Sequence, residues 1–335
     1  MNNKPKVSII MPVFKTEPYI EKTIQSVLKQ SYPNIELLCV NDDTPDGAFE
    51  ICRKYQKKYH WIKLVDNNGN RGVEYTRNRG LDEMSGEYVL FLDSDDIISP
   101  DMIETMVDTA MQEDSDVVMS AYSTMVDGKD IPVLVESAST FDCTMDIKTF
   151  AALCLEPIEW KILCCIGTKL YKTQIIRDTH LRFDTTYKYN EDGAFVLSFL
   201  LCCSRVSYLN EPYYKYRIRS SGSTMSSYRP QMFQSIVRVN ELLGKVFVNN
   251  HVFAQKEKLY YRKLLFIIID SLRNEAKFGD KQSFRQVFNE VLAYEDYGKM
   301  QTVLTSSHVL GKKQRFVIML MRWHQIGLLY FMLKK

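Results

Sequence analysis

From residue 7 to about 124, short runs of β-branched and aliphatic residues alternate with segments whose apolar positions recur at helical spacing. The run 7–14 is followed by Ile20, Ile24, Val27 and Leu28, which share one helical face. Runs at 35–40, 62–65, 88–92 and 117–122 predict further strands, and the segments near 46–59, 72–84 and 100–113 predict the helices between them. Connections of that length join parallel neighbours, so the pattern predicts an α/β unit with a mainly parallel sheet covered by helices on both faces. Ligands of such sheets bind beyond the carboxyl ends of the strands. After about residue 125 the pattern becomes irregular, and 160–225 is rich in Tyr, Arg and Cys. Helical periodicity returns with Met232, Phe233, Ile236, Val239, Leu243, Val246 and Phe247, and continues through 259–272 and 284–292. The expected organisation is one α/β domain at 1–227 and a helical C-terminal region at 228–335, with no internal repeat and no low-complexity linker.

A chain of 335 residues with 45% hydrophobic and 25% charged residues is long enough for two globular units and is not disordered in composition. Its net charge of +2 provides no field that would hold nucleic acid. The charge is unevenly placed, because no Asp or Glu follows Asp296 while Lys299, Lys312, Lys313, Arg315, Arg322, Lys334 and Lys335 do. That asymmetry points to an anionic partner for the tail. The stretch 316–333 is almost continuously apolar, yet it is too short for a comfortable membrane span and is interrupted by Arg322, His324 and Gln325. Two readings stay open. Either the stretch is a helix lying on an anionic membrane surface, with Trp323 and Tyr330 at the headgroups, or it packs on the α/β domain or on a second copy as a homodimer. The eight cysteines lack the spacings of a zinc site and are expected as buried free thiols of a cytoplasmic protein; no secretory signal is expected at the N-terminus.

The strongest chemical signal is Tyr88-Val-Leu-Phe-Leu-Asp93-Ser94-Asp95-Asp96, an apolar strand that ends in three carboxylates. A hard divalent ion held by oxygen ligands and substrate phosphates would neutralise them. A solvated acidic turn with Asp96 capping the next helix is the alternative. Asp42, after the second strand, falls on the same sheet edge; it could accept a hydrogen bond from a nucleotide base, or belong to an Asx turn and helix cap for which Asp43, Thr44 or Asp46 would also serve. Between them, the segment 70–80 opens a helix carrying Arg71, Arg77 and Arg79. Arginine suits bidentate contact with a diphosphate, while a solvated basic face is the preferred reading for Arg71 and Arg79.

Six segments in order, at 7–14, 26–30, 40–42, 76–81, 86–88 and 91–96, resemble the family 2 glycosyltransferases, which have the GT-A fold. The similarity continues more loosely through 167–172, 189–195 and 214–217 to Ser223. The resemblance implies an inverting, metal-dependent transfer of a sugar from a UDP-sugar donor to a glycan or lipid-linked acceptor, in synthesis of a bacterial surface polysaccharide at the cytoplasmic side of the membrane. It implies Asp93 and Asp95 as the Asp-x-Asp ligands of Mn²⁺ or Mg²⁺. It further implies Pro12, Phe14, Asp42, Arg77 and Asp93 around the donor, and Asp192, with Glu191 as its neighbour, as catalytic base. The sequence departs from relatives at Asp43 and Pro45, at Glu74-Tyr75, and at Arg217-Ile-Arg219, where some relatives carry a metal-binding histidine. A helix N-terminal pair stabilised by the dipole is the structural alternative for Glu191-Asp192. An Asp-dependent phosphohydrolase and a noncatalytic sugar-nucleotide or glycan-binding subunit are the competing functions.

Overall fold

The computed structural model describes residues 4–126, 129–136, 143–153, 163–187, 189–219, 228–305 and 310–334, with backbone alone at 129–136. Ser223 and Lys335 of the sequence reading lie outside them. The chain divides into two compact units, one made of Met1–Thr185 and Glu191–Gly222, the other of Thr186–Asn190 and Ser223–Lys335.

The first unit runs β1 (Val7–Val13), α1 (Glu17–Leu28), β2 (Ile35–Asn41), α2 (Ala48–Gln56), β3 (Ile62–Asp66), α3 (Val73–Glu83), β4 (Tyr88–Phe91), β5 (Ile97–Ile98), α4 (Met102–Glu113), β6 (Val117–Val126), β7 (Lys129–Glu136), β8 (Cys143–Asp146), α5 (Ile147–Leu153), β9 (Lys169–Lys172), α6 (Thr173–Asp178), α7 (Glu191–Leu200) and β10 (Arg205–Ile218). The sheet order is β3-β2-β1-β4-β9-β6-β10-β5, with β7 on β6 and β8 on β10. The first four strands in that order pair in parallel, as βαβ connections require. Beyond β4 the sheet is mixed, because β9 runs antiparallel to both β4 and β6. Strands β1, β2 and β4 are buried along their whole length, which is why they read as continuous apolar runs rather than alternating ones. Helix α3 lies close on β1: a side chain at Gly80 would collide with Ile10.

Behind β4 and β9 sits an aromatic cluster. Phe91 meets Tyr171, Phe183 and Phe195 edge-on, Tyr171 meets Phe199, and Phe183 stacks on Phe195 at 4.1 Å. Phe195 and Phe199 belong to α7, so their burial seats that helix on the sheet. Each ring contributes about 1.5–3 kcal/mol by burial.

The second unit is helical: α8 (Met232–Asn249), α9 (Phe253–Phe278), α10 (Lys281–Ala293), α11 (Tyr297–Thr305), α12 (Lys312–Arg322) and α13 (Ile326–Lys334). Helix α9 contacts α8, α10, α11 and α13. Helix α10 starts with a capping box in which the Asp280 carboxylate accepts from the Ser283 N–H and the Ser283 hydroxyl accepts from the Asp280 N–H, worth about 1 kcal/mol. The stretch expected as one apolar helix is two, broken at Trp323–Gln325 where His324 has φ 52°. Tyr330, expected at a membrane surface, is buried and packs edge-on against Phe284. Among the described residues, no helix is long and apolar enough to cross a membrane. Cys39, Cys52 and Cys203 are buried free thiols as expected, whereas Cys143 and Cys202 are exposed.

Candidate active site

The turn after β4 is held from three sides. The Asp96 N–H closes it onto the Asp93 carbonyl, Thr16 and Thr23 of the α1 region bond the Ser94 hydroxyl and carbonyl, and β5 pairs with β10 at Tyr214 and Lys215. Within the turn the three carboxylates have different surroundings. Asp96 is fully buried and accepts from the Tyr214 hydroxyl at 2.6 Å and the Arg217 N–H at 2.7 Å. It ties β10 to the turn and does not cap the next helix, a correction to that reading. Asp95 accepts from Arg219 Nε at 2.6 Å, and its carbonyl accepts from Arg217 Nε at 2.8 Å. Both guanidinium groups lie over the Tyr19 ring, at 5.1 and 5.2 Å. Burial first, and then the Asp93 charge, raise the Asp95 carboxyl above the ordinary carboxylate value, while Arg219 opposes the shift.

Asp93 is joined to Asp192, at the start of α7, through one arginine. Arg77 Nη2 reaches Asp93 Oδ1 at 3.0 Å and Nη1 reaches Asp192 Oδ1 at 2.5 Å. Arg77 is 3% exposed and its guanidinium stands 5.4 Å from the Phe183 ring centre. Burial works against its charge, but Asp192, Asp93 and Glu191 outweigh it and hold the proton more tightly than in water. Asp192 responds differently: burial pushes its carboxyl up to about 7 against the pull of Arg77, with the Glu191 and Asp93 charges adding to the rise. The close geometry describes the ionised pair, and burial outweighs the pull of an Arg77 guanidinium that Asp192 shares with Asp93. The Asp192 side chain remains 25% exposed. The Arg77 guanidinium, expected near the nucleotide or its diphosphate, stands between the two carboxylates.

Asp42 lies at the end of β2 on the same edge but is satisfied differently. Its Oδ1 accepts from the Arg71 N–H at 2.7 Å and from Asn67 Nδ2 at 3.1 Å, and its Oδ2 accepts from the Gly72 N–H at 3.0 Å. It shapes the loop entering α3, where Gly72 has φ 90° and favours glycine. Of the residues named for an Asx turn, Asp46 accepts from the Ala48 N–H two residues on; Asn41 accepts from the Thr44 N–H, and α2 has Gly47 as its N-cap with no side-chain cap. Pro12 is buried in β1 opposite Val40, and Phe14 is 37% exposed just past it, with Lys15 Nζ 5.0 Å from its ring centre. Arg71 lies over Tyr75 and Arg79 pairs with Glu83 one helical turn away, so both serve the α3 surface.

The sequence reading missed Tyr19, Tyr214 and Lys169, and saw Arg217 and Arg219 only as departures from relatives. Lys169 is fully buried, donates to the Cys165 carbonyl at 2.5 Å and helps to lower the Asp192 carboxyl. Lys169 and Tyr214 fall in the loosely similar segments 167–172 and 214–217, but no role could be read for them there, since β9 and β10 reach the site only through sheet pairing. The Asp93 and Asp95 carboxylates, on one turn, supply the hard oxygen donors a divalent cation takes, and the Asp93 charge helps to raise Asp95; among the described residues no group of three or more His, Cys, Asp or Glu side chains is placed to hold a metal ion.

A family model described as "Glycosyl transferase family 2" matches residues 8–155. The chain is 28% identical to glycosyltransferase GlyA of Streptococcus pneumoniae serotype 4 over 311 residues, which cover 90% of this chain and 44% of GlyA, so it spans less than half of that relative. It is 30% identical to the uncharacterized glycosyltransferase EpsJ of Bacillus subtilis over 252 residues, 74% of this chain and 70% of EpsJ. Among solved structures, Staphylococcus aureus TarS residues 1–349 in complex with UDP matches with a TM-score of 0.65 at 22% identity, over 98% of this chain and 90% of that one, and has the same fold. An identity of 30% sustained across 74% of this chain and 70% of EpsJ, with the family model matching the segments at 8–155 that build the carboxylate edge of the sheet, leaves one assignment: the chain belongs to glycosyltransferase family 2.

Proposed function

We propose that this chain is an inverting glycosyltransferase that moves a hexose or N-acetylhexosamine from a UDP-sugar to a hydroxyl of a glycan or lipid-linked acceptor, on the cytoplasmic face of the membrane, in synthesis of a bacterial surface polymer. The observation that carries it is the Asp93–Arg77–Asp192 chain, which couples a solvent-reachable carboxylate to the acidic turn at the carboxyl edge of the sheet. TarS, solved with UDP and with UDP-GlcNAc and named a poly(ribitol-phosphate) beta-N-acetylglucosaminyltransferase, supports the donor class and the polymeric acceptor.

In this reading Asp192 takes the proton of the acceptor hydroxyl as its oxygen forms the new bond to the anomeric carbon. The bond from that carbon to the diphosphate oxygen breaks, UDP leaves with the electron pair, and the configuration inverts. A carboxyl held near 7 is well matched to this work at neutral pH, because it is substantially ionised and still a useful acceptor of protons. Arg77 positions the carboxylate and keeps it ionised. Asp93 and Asp95 would hold Mn²⁺ or Mg²⁺, which supplies Lewis-acid stabilisation of the charge on the departing diphosphate. Asp42, with Phe14 nearby, would border the nucleotide; its Oδ2 accepts one hydrogen bond against two at Oδ1, leaving it the better placed to accept from a base.

The test is a screen of nucleotide sugars with Mn²⁺ or Mg²⁺ by thermal shift, followed by donor turnover with and without acceptor extract. A UDP-sugar that stabilises the fold and is turned over faster with acceptor is the expected result. A phosphohydrolase would release phosphate without acceptor dependence, and a binding subunit would be stabilised without turnover.

A further inference from the structure

The C-terminal helices each have two unlike faces. On α12, Val317, Ile318, Leu320 and Met321 are buried, while Lys312, Lys313, Arg315, Phe316, Arg322 and the following Trp323 are exposed. On α13, Leu329, Tyr330 and Leu333 are buried, while Leu328, Phe331 and Lys334 are exposed. The two readings left open by the sequence therefore apply to opposite faces. The inner face packs within the helical unit, against helices that include α9 and α10. The outer residues share one side of each helix as a stripe: Lys312, Arg315, Phe316, Arg322 and Trp323 recur at three, four and seven residues along α12 and its end, and Leu328, Phe331 and Lys334 at three and six along α13.

The composition of that stripe is unusual for a surface in contact with water. Phe331 at 65%, Trp323 at 62% and Leu328 at 60% are the three most exposed large apolar side chains of the described residues, and Phe316 joins them at 46%. The charged side chains of both helices are all basic, with no acidic residue on either. Scattered exposed apolar residues need no explanation, but a stripe that combines aromatic rings with unopposed cations does. An apolar protein partner would account for the rings and leave the charges without counterpart; a nucleic acid would account for the charges and leave the aliphatic Leu328 exposed. A bilayer with anionic headgroups satisfies both, with rings and Leu328 entering the interface and Lys and Arg at the headgroup level.

We infer that the outer face of α12 and α13 docks the protein on an anionic lipid surface. The binding is reversible, since the helices are short and neither crosses a membrane. The inference gives a physical home to the lipid-linked acceptor of the function above, but it is tested without donor or acceptor, and donor turnover in solution reports on that function separately.

The experiment is cosedimentation of the full chain with vesicles of phosphatidylglycerol and phosphatidylcholine, beside vesicles of phosphatidylcholine alone. Binding to the anionic vesicles at low salt and its weakening at high salt are expected. Trp323→Ser with Leu328→Ser and Phe331→Ser should lower the partition at least about tenfold, and Lys312→Glu with Lys313→Glu and Arg315→Glu should remove its salt-dependent part. Both sets should keep the parent melting temperature and donor turnover, and Phe331→Ser alone serves should the triple variant fail to fold. No binding to anionic vesicles, equal binding to neutral ones, or an unchanged partition in both sets overturns the inference. A parent dimer that the apolar variants convert to monomer also overturns it, assigning the stripe to a second copy.

Discussion

Two carboxylate turns stand on the same edge of the same sheet, and they solve the problem of buried negative charge in opposite ways. Asp42, after β2, is neutralised by its own neighbourhood: two backbone N–H groups and an asparagine amide converge on it. The turn after β4 has too many carboxylates for such local donors. Asp93, Asp95 and the nearby Asp192 are held by guanidinium groups from α3 and from the segment after β10, while burial and mutual repulsion still raise Asp95 and Asp192. A carboxylate held by fixed backbone dipoles keeps its charge without a cation. Carboxylates that share a limited number of guanidinium groups keep an unbalanced charge.

That contrast can be broken at several points. Chelation of divalent ions, or Asp95→Ala, should reduce transfer to background, with Mn²⁺ or Mg²⁺ restoring the chelated parent only; full activity after chelation would remove the metal from the site. Asp192→Asn should lower kcat by about 10²–10⁴-fold with donor affinity kept, since the amide preserves shape without basicity. Normal turnover in that variant would move the base elsewhere, with Glu191 first to be tried.

Arg77→Met probes the shared cation. Leaving Asp93 and Asp192 without their partner should cost about 3–5 kcal/mol of stability, measured by denaturant unfolding. It should also move the acidic limb of activity. With Asp192 as the base proposed above, it must be deprotonated to act, so kcat/KM of the parent should rise with pH up to about 7 and then level. Removing Arg77 takes away a favourable positive charge and moves that limb to higher pH, whereas Glu191→Gln removes a like charge and moves it lower. Limbs that stay in place in both variants would separate the titration from Asp192.

The smallest effects belong to the other turn. Asp42→Ala should destabilise the fold by about 1–3 kcal/mol, because the Arg71 and Gly72 N–H groups lose their acceptor. At saturating donor its kcat should stay near the parent value while the Kd for UDP rises. A kcat loss matching that of Asp192→Asn would show that the two turns do the same work after all.

The sequence by itself determined the parallel half of the sheet and the long helices. β1, β2 and β4 are buried on both sides, so their apolar runs could not be mistaken, and α8 carries its 3.6-residue stripe over its full length. It also determined which chemical groups stand at the strand ends, since a βαβ order puts residues after β2 and β4 on one edge whatever the loops do. Tertiary structure decided how those groups are paired. The short β9 and the bulged β10, with its register shift between Leu209 and Tyr214, have no periodicity of their own; β9 is a strand because β4 and β6 offer unpaired backbone on either side, and β10 because β6 and β5 do. Through them Tyr214, Arg217, Arg219 and Lys169 arrive beside the acidic turn, and α7 brings Asp192 to an arginine distant in sequence. In the tail the sequence showed apolar residues on more than one face, and only packing could divide them: Tyr330 turns inward to meet Phe284, while Phe331, its immediate neighbour, projects outward into solvent. Periodicity reports what is local, and charge neutralisation and burial are settled by residues that the chain brings from far away.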